Sequence, residues 1–274
     1  MTLPETPLGP ATYSTWRGWP PGIPAVTEGH RAAGGSRPAG HDGTEPDGGL
    51  GMHHELTSLP SPDAVAQAGA EFVAGQARAA VTDRGIFHFA VSGGHTPWAM
   101  FAALASHEVP WDAVLIYQVD ERVAPSGDPS RNLTHLTEAL GSAPATVLPM
   151  PVNDADLTAA AGAYATDLPG QFDLVHLGLG DDGHTASLVP GDPVLSVTDR
   201  LVAVTGPYQG QVRMTLTYPA LGRARQLLWL VTGADKKTAL NSLLAGDTAI
   251  PAGRVQAAAS LVLADRAATA ATEA

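Results

Sequence analysis

The sequence contains no cysteine, and this absence excludes several kinds of chemistry. Without thiols, the 274-residue chain forms no disulfide, no zinc–thiolate centre and no cysteine nucleophile. Long apolar runs are also missing, since no stretch reaches the roughly 20 residues of a membrane-spanning helix. The N-terminus lacks the basic and then apolar pattern of a signal peptide. We therefore expect a cytoplasmic protein without a membrane partner.

Positive charge is scarce as well. Lys and Arg number 15 against 27 Asp and Glu, which gives a formal net charge of −12. This balance argues against nucleic acid or an anionic membrane as the main partner. A small anionic substrate remains possible, because the charges of a few loops rather than the net charge decide its binding.

The chain has 274 residues, of which 44% are hydrophobic, and this length allows one large α/β domain or two small ones. The first 51 residues differ, because eight prolines and eleven glycines occupy 19 of them and no periodicity survives. We predict a disordered Pro/Gly-rich extension over residues 1–55 and one domain over residues 56–274. Two interpretations of the extension remain open: a start-site artefact with Met52 as the true first residue, or a partner-binding tail that uses Trp16 and Trp19.

Beyond the extension, apolar strand patterns alternate with helical ones. The predicted strands cover residues 86–91, 114–119, 147–150, 172–179, 201–205, 226–232 and 260–263. The predicted helices cover residues 62–83, 98–106 and 154–167, with further helices beginning near residues 132, 219 and 236. This alternation predicts a doubly wound, mostly parallel, Rossmann-like sheet. Such sheets bind ligands just beyond the carboxyl ends of their strands.

The densest group of ionisable residues follows the strand that begins at Phe172. There the chain runs into a glycine-rich turn that carries Asp181, Asp182 and His184. An aspartate-capped turn would explain the glycines and one carboxylate but not the histidine. A general base held by a carboxylate explains most of the pattern, so we predict that this is the catalytic loop.

Two further interpretations of this loop are weaker. G-L-G-D-D-G at residues 178–183 fits the dinucleotide fingerprint formally, but two aspartates would repel a pyrophosphate. A metal site could use His176, Asp181, Asp182 and His184. The two histidines are eight residues apart, however, and lack the four-residue helical spacing of a zinc-binding pair.

A second loop, S-G-G-H-T-P at residues 92–97, separates a predicted strand from a helix. Free backbone N–H groups, hydroxyls and a helix N-terminus together favour an anion, most simply a phosphate. Thr96 is predicted to cap the helix and Pro97 to occupy its first turn. The alternative is an ordinary glycine-rich turn.

Other polar residues also follow predicted strands. Arg122, in the charged triplet Asp120-Glu121-Arg122, is suited to fork onto an oxyanion or phosphate, unless the triplet is merely a solvated loop. Asn132 would either orient a neighbouring carboxylate or simply cap a helix. Lys236 and Lys237 lie in the predicted first turn of a helix, where a cation is unfavourable unless an anion is bound or the lysine points into solvent.

Taken together, four motifs resemble those of the 6-phosphogluconolactonase family in order and spacing. They are S-G-G-H-T-P (92–97), D-E-R (120–122), G-L-G-D-D-G-H-T-A-S-L-V-P-G (178–191) and R-M-T-L-T (213–217). The resemblance covers about residues 56–266. It implies the fold shared by glucosamine-6-phosphate deaminase and ribose-5-phosphate isomerase.

The resemblance also implies an activity. A carboxylic ester hydrolase of this kind converts 6-phospho-D-glucono-1,5-lactone to 6-phosphogluconate in the oxidative pentose phosphate pathway, with no metal and no other cofactor. It implies that His184 is the general base and that Asp182, which immediately precedes Gly-His, orients it. The expected partner is the sugar-phosphate lactone, and the expected state is a monomer or weak dimer. The implied substrate-binding residues are Ser92, Gly93, Gly94, His95, Thr96, Asp120, Arg122, Asn132, Arg213 and Lys236.

The chain departs from the family pattern at two positions. Tyr208 stands where the family usually has a lysine, so the cation that replaces it has to be Lys236, Arg213 or another residue. His95 stands where the family often has Ser or Thr, which leaves its backbone N–H unaffected.

Two alternative functions remain. A glucosamine-6-phosphate deaminase-like isomerase carries a glutamate five residues after the loop histidine, but that position here is Val189. A non-catalytic sugar-phosphate-binding protein would usually add a helix-turn-helix module, and the Pro/Gly-rich segment is unsuited to form one.

Overall fold

The computed structural model describes residues 52–270, so residues 1–51 of the predicted extension lie outside the described part. Strands and helices alternate along most of this length. The strands are β1 (Glu55–Leu59), β2 (Phe87–Val91), β3 (Val114–Gln118), β4 (Asp120–Arg122), β5 (Thr146–Leu148), β6 (Phe172–Leu177), β7 (Val202–Val204), β8 (Arg213–Leu216), β9 (Ala224–Val231) and β10 (Ser260–Asp265). The helices are α1 (Pro62–Arg84), α2 (His95–Leu104), α3 (Asn132–Leu140), α4 (Leu157–Asp167), α5 (Tyr218–Leu221), α6 (Lys237–Leu244) and α7 (Arg266–Thr269).

Seven strands form one sheet in the order β1-β10-β9-β6-β2-β3-β5, and every neighbouring pair is parallel. Helices cover both faces. All six residues of β6 are buried, as expected for a central strand of a sheet covered on both sides. The predicted doubly wound, mostly parallel sheet is confirmed.

Strand β1 is missing from the sequence-based predictions. It pairs with β10 at the sheet edge, and only Leu59 of its five residues is buried. An edge strand this exposed shows little apolar alternation, so the sequence pattern does not reveal it. Glu55, the last residue of the predicted extension, is the first residue of this strand.

A small antiparallel sheet in the order β4-β8-β7 is also absent from the sequence-based predictions. Val119 joins the two sheets, because its N–H donates to the Val91 carbonyl at 2.8 Å and its carbonyl accepts from Leu216 N at 2.8 Å. The chain therefore stays extended through Asp120 and Arg122. The interpretation of residues 120–122 as a solvated loop is wrong.

Helix α1 begins as predicted, with Pro62 in its first turn and Ser61 Oγ accepting a hydrogen bond from Ala64 N at 3.3 Å. Helix α2 begins three residues earlier than predicted, and Gly94 occupies its N-cap position. The prediction that Thr96 caps this helix is wrong. Its Oγ1 instead shares a hydrogen bond of 2.9 Å with Thr232 Oγ1 after strand β9.

The topology brings the predicted site loops together. Strands β9, β6, β2 and β3 are neighbours in that order, and the loops that follow their carboxyl ends carry the predicted site residues. The strand order reverses between β6 and β2, which is where sheets of this kind form a ligand crevice. Within residues 52–270, no helix is both long and apolar enough to cross a membrane.

Candidate active site

A cleft of about 350 Å³ lies where these four loops meet. Most of the predicted site residues line it: Ser92, Gly93, Gly94, His95, Thr96, Asp120, Arg122, Asn132, His184, Arg213 and Lys236. The predicted residue Asp182 does not line the cleft but is hydrogen-bonded to His184. Residues that the sequence analysis did not single out as ligands complete the walls: Pro97, Gly178, Leu179, Gly180, Ala186, Leu230, Val231 and Thr232.

His184 and Asp182 form a hydrogen-bonded pair at one side of the cleft. His184 Nδ1 lies 2.6 Å from Asp182 Oδ1, and the same oxygen accepts the backbone N–H of His184 at 2.9 Å. An ionised carboxylate only accepts hydrogen bonds, so this contact assigns the imidazole proton to Nδ1. In the neutral form of the ring, Nε2 is then the nitrogen that can accept a proton, which is the arrangement that a general base requires.

Asp182 is ionised in this pair. Burial raises the pKa of the Asp182 carboxyl, but the hydrogen bonds from His184 and from Tyr208 outweigh burial and hold this pKa below its ordinary value.

The backbone of the turn approaches the His184 ring closely at Gly180. A Cβ atom on Gly180 would overlap the His184 ring, so a larger residue there would displace the imidazole.

The N-terminus of α2 forms a second side of the cleft. Gly94 adopts φ 132°, a conformation that side chains other than glycine rarely accept, and this lets the helix begin directly after the turn. Ser92 Oγ is buried and has no hydrogen-bond partner among the described residues. A free hydroxyl beside the unpaired N–H groups of a helix N-terminus is suited to bind an anion.

Strand β4 supplies a carboxylate and a cation to the third side. Asp120 Oδ1 accepts from Asn132 Nδ2 at 3.2 Å, and Asp120 Oδ2 accepts from Ser187 Oγ at 2.6 Å. Arg122 Nη1 donates to Asn132 Oδ1 at 2.6 Å. Asn132 therefore orients a carboxylate, which is one of the two interpretations of this residue. The other interpretation, a plain helix cap, is wrong, because α3 has no side-chain cap hydrogen bond.

Glu121 lies between Asp120 and Arg122 and is fully buried, and its role was not predicted from the sequence. Glu121 Oε1 accepts the N–H groups of Arg122 and Asn132, at 2.8 and 2.7 Å. Its Oε2 accepts from Leu133 N at 2.9 Å and from Arg131 Nε at 3.3 Å. Because side chains alternate along a strand, Glu121 points away from the cleft while its neighbours line it. If residues 120–122 had been recognised as a strand, this alternation would have predicted that Glu121 faces away from Asp120 and Arg122.

Three cations face the cleft of this acidic protein. Arg213 is buried, and its guanidinium lies 5.0 Å from the centre of the Tyr208 ring. Burial lowers the pKa of Arg213, and the neighbouring Asp120 opposes that effect. Lys236 is 3.0 Å from Asp235 and lies just before α6 rather than in its first turn, at the end of a 3₁₀ turn. With Arg122, these residues make the cleft suited to an anionic ligand.

The structure also argues against both weaker interpretations of the predicted catalytic loop. Residues 178–191 open no helix, so the dinucleotide-binding arrangement is not formed. His176 lies inside the core on β6, and its Nδ1 accepts from Ser92 N at 3.4 Å. In the described part of the chain, no group of three or more His, Asp or Glu side chains is placed to hold a metal ion.

The sequence and the fold of the chain both match those of known proteins. The family profile described as glucosamine-6-phosphate isomerases/6-phosphogluconolactonase matches residues 60–263. The 6-phosphogluconolactonase of Synechocystis sp. is 39% identical over 180 residues, which are 61% of this chain and 75% of that protein. The 6-phosphogluconolactonase of Nostoc sp. is 35% identical over 222 residues, 75% of this chain and 92% of that protein. The crystal structure of a 6-phosphogluconolactonase from Shewanella baltica superposes with a TM-score of 0.70 at 27% identity, covering 78% of this chain and 97% of that one.

Proposed function

Because the chain belongs to the glucosamine-6-phosphate isomerase/6-phosphogluconolactonase family, we propose that it hydrolyses 6-phospho-D-glucono-1,5-lactone to 6-phosphogluconate. This is the second step of the oxidative pentose phosphate pathway. The single observation that carries the mechanism is the His184–Asp182 pair, placed beside a cleft lined by three cations and a helix N-terminus.

The chemistry needs only a positioned base. A δ-lactone is a reactive ester, so an activated water suffices and no covalent nucleophile is required. Nε2 of His184 accepts a proton from water as the water oxygen attacks the lactone carbonyl carbon. Asp182 holds the imidazole through Nδ1 and stabilises the positive charge that it acquires. The intermediate then breaks the bond between the carbonyl carbon and the ring oxygen, and His184 returns the proton to that oxygen.

The rest of the cleft binds the substrate. The 6-phosphate lies against the N-terminus of α2, where the residues of the turn offer backbone N–H groups and hydroxyls. These residues are Ser92, Gly93, Gly94, His95 and Thr96. Lys236 adds charge to this group, and Arg122 and Arg213 bind the remaining anionic or polarised oxygens. Asp120 and Asn132 orient the sugar and Arg122.

The family includes a second activity, and one position argues against it here. Ring opening by a deaminase-like isomerase would use a carboxylate five residues after the loop histidine. Val189 occupies that position, and its buried side chain is apolar, so it supplies no second acid or base. The relatives at 39% and 35% identity are named as lactonases.

We also propose a setting for the enzyme. It acts in the cytoplasm as a monomer or weak dimer, without a nucleic-acid or membrane partner. The net charge of −12 supports only the absence of these two partners, because a negative surface repels nucleic acid and anionic membranes.

The test is a hydrolysis assay with freshly prepared lactone, in which the released acid is titrated at constant pH. Glucosamine 6-phosphate is assayed in parallel for ammonia release. We expect hydrolysis well above the spontaneous rate and no ammonia. Ammonia release without lactone hydrolysis would indicate the isomerase. Binding of 6-phosphogluconate with an unchanged hydrolysis rate would indicate a non-catalytic sugar-phosphate-binding protein.

A further inference from the structure

Tyr208 contacts Asp182, His184 and Arg213 but does not itself line the cleft. Its hydroxyl donates to Asp182 Oδ2 at 3.2 Å, on the side of the carboxylate that His184 does not use. The Tyr208 and His184 rings meet edge to face, with their centres 5.5 Å apart. The face of the Tyr208 ring lies 5.0 Å from the Arg213 guanidinium.

The turn that carries Tyr208 is well defined. Tyr208 and Gln211 exchange backbone hydrogen bonds of 3.0 and 3.2 Å, and the two residues between them have φ 51° and 78°. Positive φ at both central positions is the geometry of a tight type I′ hairpin. Gln211 Nε2 also donates to Ser130 Oγ at 3.0 Å, which ties the hairpin to the segment before α3. The tyrosine is thus presented from a fixed backbone.

We propose that Tyr208 is a positioning residue: its hydroxyl fixes the Asp182 carboxylate behind His184, and its ring fixes the Arg213 guanidinium at the cleft. The inference rests on the proposed lactonase function, since the two groups that it holds serve that reaction. Asp182 orients the base and Arg213 binds the substrate, so the two contacts affect different kinetic constants.

The charges around Tyr208 favour a protonated hydroxyl, which donates a hydrogen bond to Asp182. Burial raises the pKa of the Tyr208 hydroxyl, and the carboxylates of Asp182 and Asp181 raise it further, whereas Arg213 lowers it. The phenol therefore stays protonated at neutral pH. It cannot replace the charge of a lysine, so its contribution is geometric.

Two variants separate the hydroxyl from the ring, and a third serves as the control. Tyr208→Phe removes only the donor, and we expect kcat to fall about fivefold with KM unchanged, because a partly exposed hydrogen bond to a carboxylate is lost. Tyr208→Leu removes the ring too, and we expect KM to rise about fivefold in addition, because the guanidinium loses its cation–π partner. Tyr117→Phe is the matched control. This change removes a hydroxyl that lies 3.0 Å from His88 Nδ1 and does not line the cleft. Both kcat and KM should therefore stay at wild-type values.

A spectroscopic measurement tests the same contact without catalysis. The ultraviolet difference between wild type and Tyr208→Phe isolates the ionisation of Tyr208 in an alkaline titration. Asp182→Asn removes the facing charge, so Tyr208 should ionise at lower pH in that background than in the wild type.

The outcomes are distinct. If the wild type hydrolyses lactone but Tyr208→Phe matches it in kcat, the positioning role is wrong while the function stands. If the wild type fails to hydrolyse lactone, the proposed function is wrong, and the titration alone decides whether Tyr208 holds Asp182. An ionisation unaffected by Asp182→Asn would overturn the inference.

Discussion

The backbone N–H of Ser92 donates a hydrogen bond to Nδ1 of His176 at 3.4 Å, across the boundary where the strand order of the sheet reverses. A fully buried histidine thereby connects the strand before the proposed catalytic loop to the first residue of the proposed anion-binding turn. Nε2 of His176 has no partner among the described residues. Burial lowers the pKa of His176 to about 3, from an ordinary value of 6.5.

This buried histidine makes stability depend on pH. In the unfolded chain His176 binds a proton below pH 6.5, whereas in the folded protein it binds one only below about pH 3. The free energy of unfolding therefore falls as the pH falls from 6.5 to about 3. We expect His176 to account for about 2 kcal/mol of lost unfolding free energy between pH 7 and pH 5. His176→Asn keeps an acceptor for Ser92 N but cannot titrate. Urea unfolding at pH 7 and pH 5 should show a smaller loss of unfolding free energy in the variant than in the wild type. Equal losses would contradict the pKa assigned to His176.

Lys236 and Lys237 offer a matched pair, because only Lys236 lines the cleft. Lys236→Met should raise KM about tenfold, since a charged hydrogen bond to phosphate contributes roughly 1.5 kcal/mol. Lys237→Met changes the net charge equally and should leave KM within about twofold, because general attraction between distant charges is screened by salt. Steady-state kinetics on both variants decide the point. Equal effects would mean that the net charge of the protein, and not a specific contact, attracts the substrate.

Glu121 should be important for stability. Glu121→Gln leaves buried Arg131 without its countercharge and gives the amide nitrogen no acceptor where Leu133 N and Arg131 donate. We expect a loss of about 3–5 kcal/mol in unfolding free energy. The surface residue Glu138, paired with His135 at 3.6 Å, provides the control, and Glu138→Gln should cost less than about 1 kcal/mol. Denaturant unfolding that gives both variants the same stability would contradict the role of Glu121.

Gly93 allows the proposed anion-binding turn to approach α3 closely. A Cβ atom at this position would overlap the Asn132 side chain, which holds both Asp120 and Arg122. Gly93→Ala should therefore lower kcat/KM by about tenfold or more, since small displacements of binding groups are costly in catalysis. Gly162→Ala, on α4, meets no atom within 4 Å and should leave the kinetics unchanged. Wild-type kcat/KM in Gly93→Ala would show that Asn132 moves aside without consequence.

The sequence predicted the main sheet and most of the residues that line the cleft, because buried parallel strands show clear apolar runs and polar residues follow their carboxyl ends. It failed where the signal is weak or depends on partners distant in the chain. Strand β1 is exposed at the sheet edge, and β4 is only three residues long, so neither shows a usable period. The Thr96 cap failed because the hydroxyl pairs with Thr232, which lies 136 residues away.

The role of Tyr208 could not be predicted from the sequence for a similar reason. The resemblance to the family implies only that a lysine is missing there, whereas the contacts to Asp182 and Arg213 come from two segments distant from each other in the chain. The buried direction of Glu121 likewise follows from the pairing of β4 with β8, which no local pattern reveals.

The central claim is that His184 is the general base, and its most direct test is the kcat of His184→Ala on freshly prepared lactone, corrected for spontaneous hydrolysis. A positioned base contributes about 10²- to 10⁴-fold, so we expect kcat to fall by at least about 100-fold. Circular dichroism and binding of 6-phosphogluconate should stay at wild-type values, which shows that the fold and the cleft are intact. Near-wild-type turnover in this variant would contradict the mechanism.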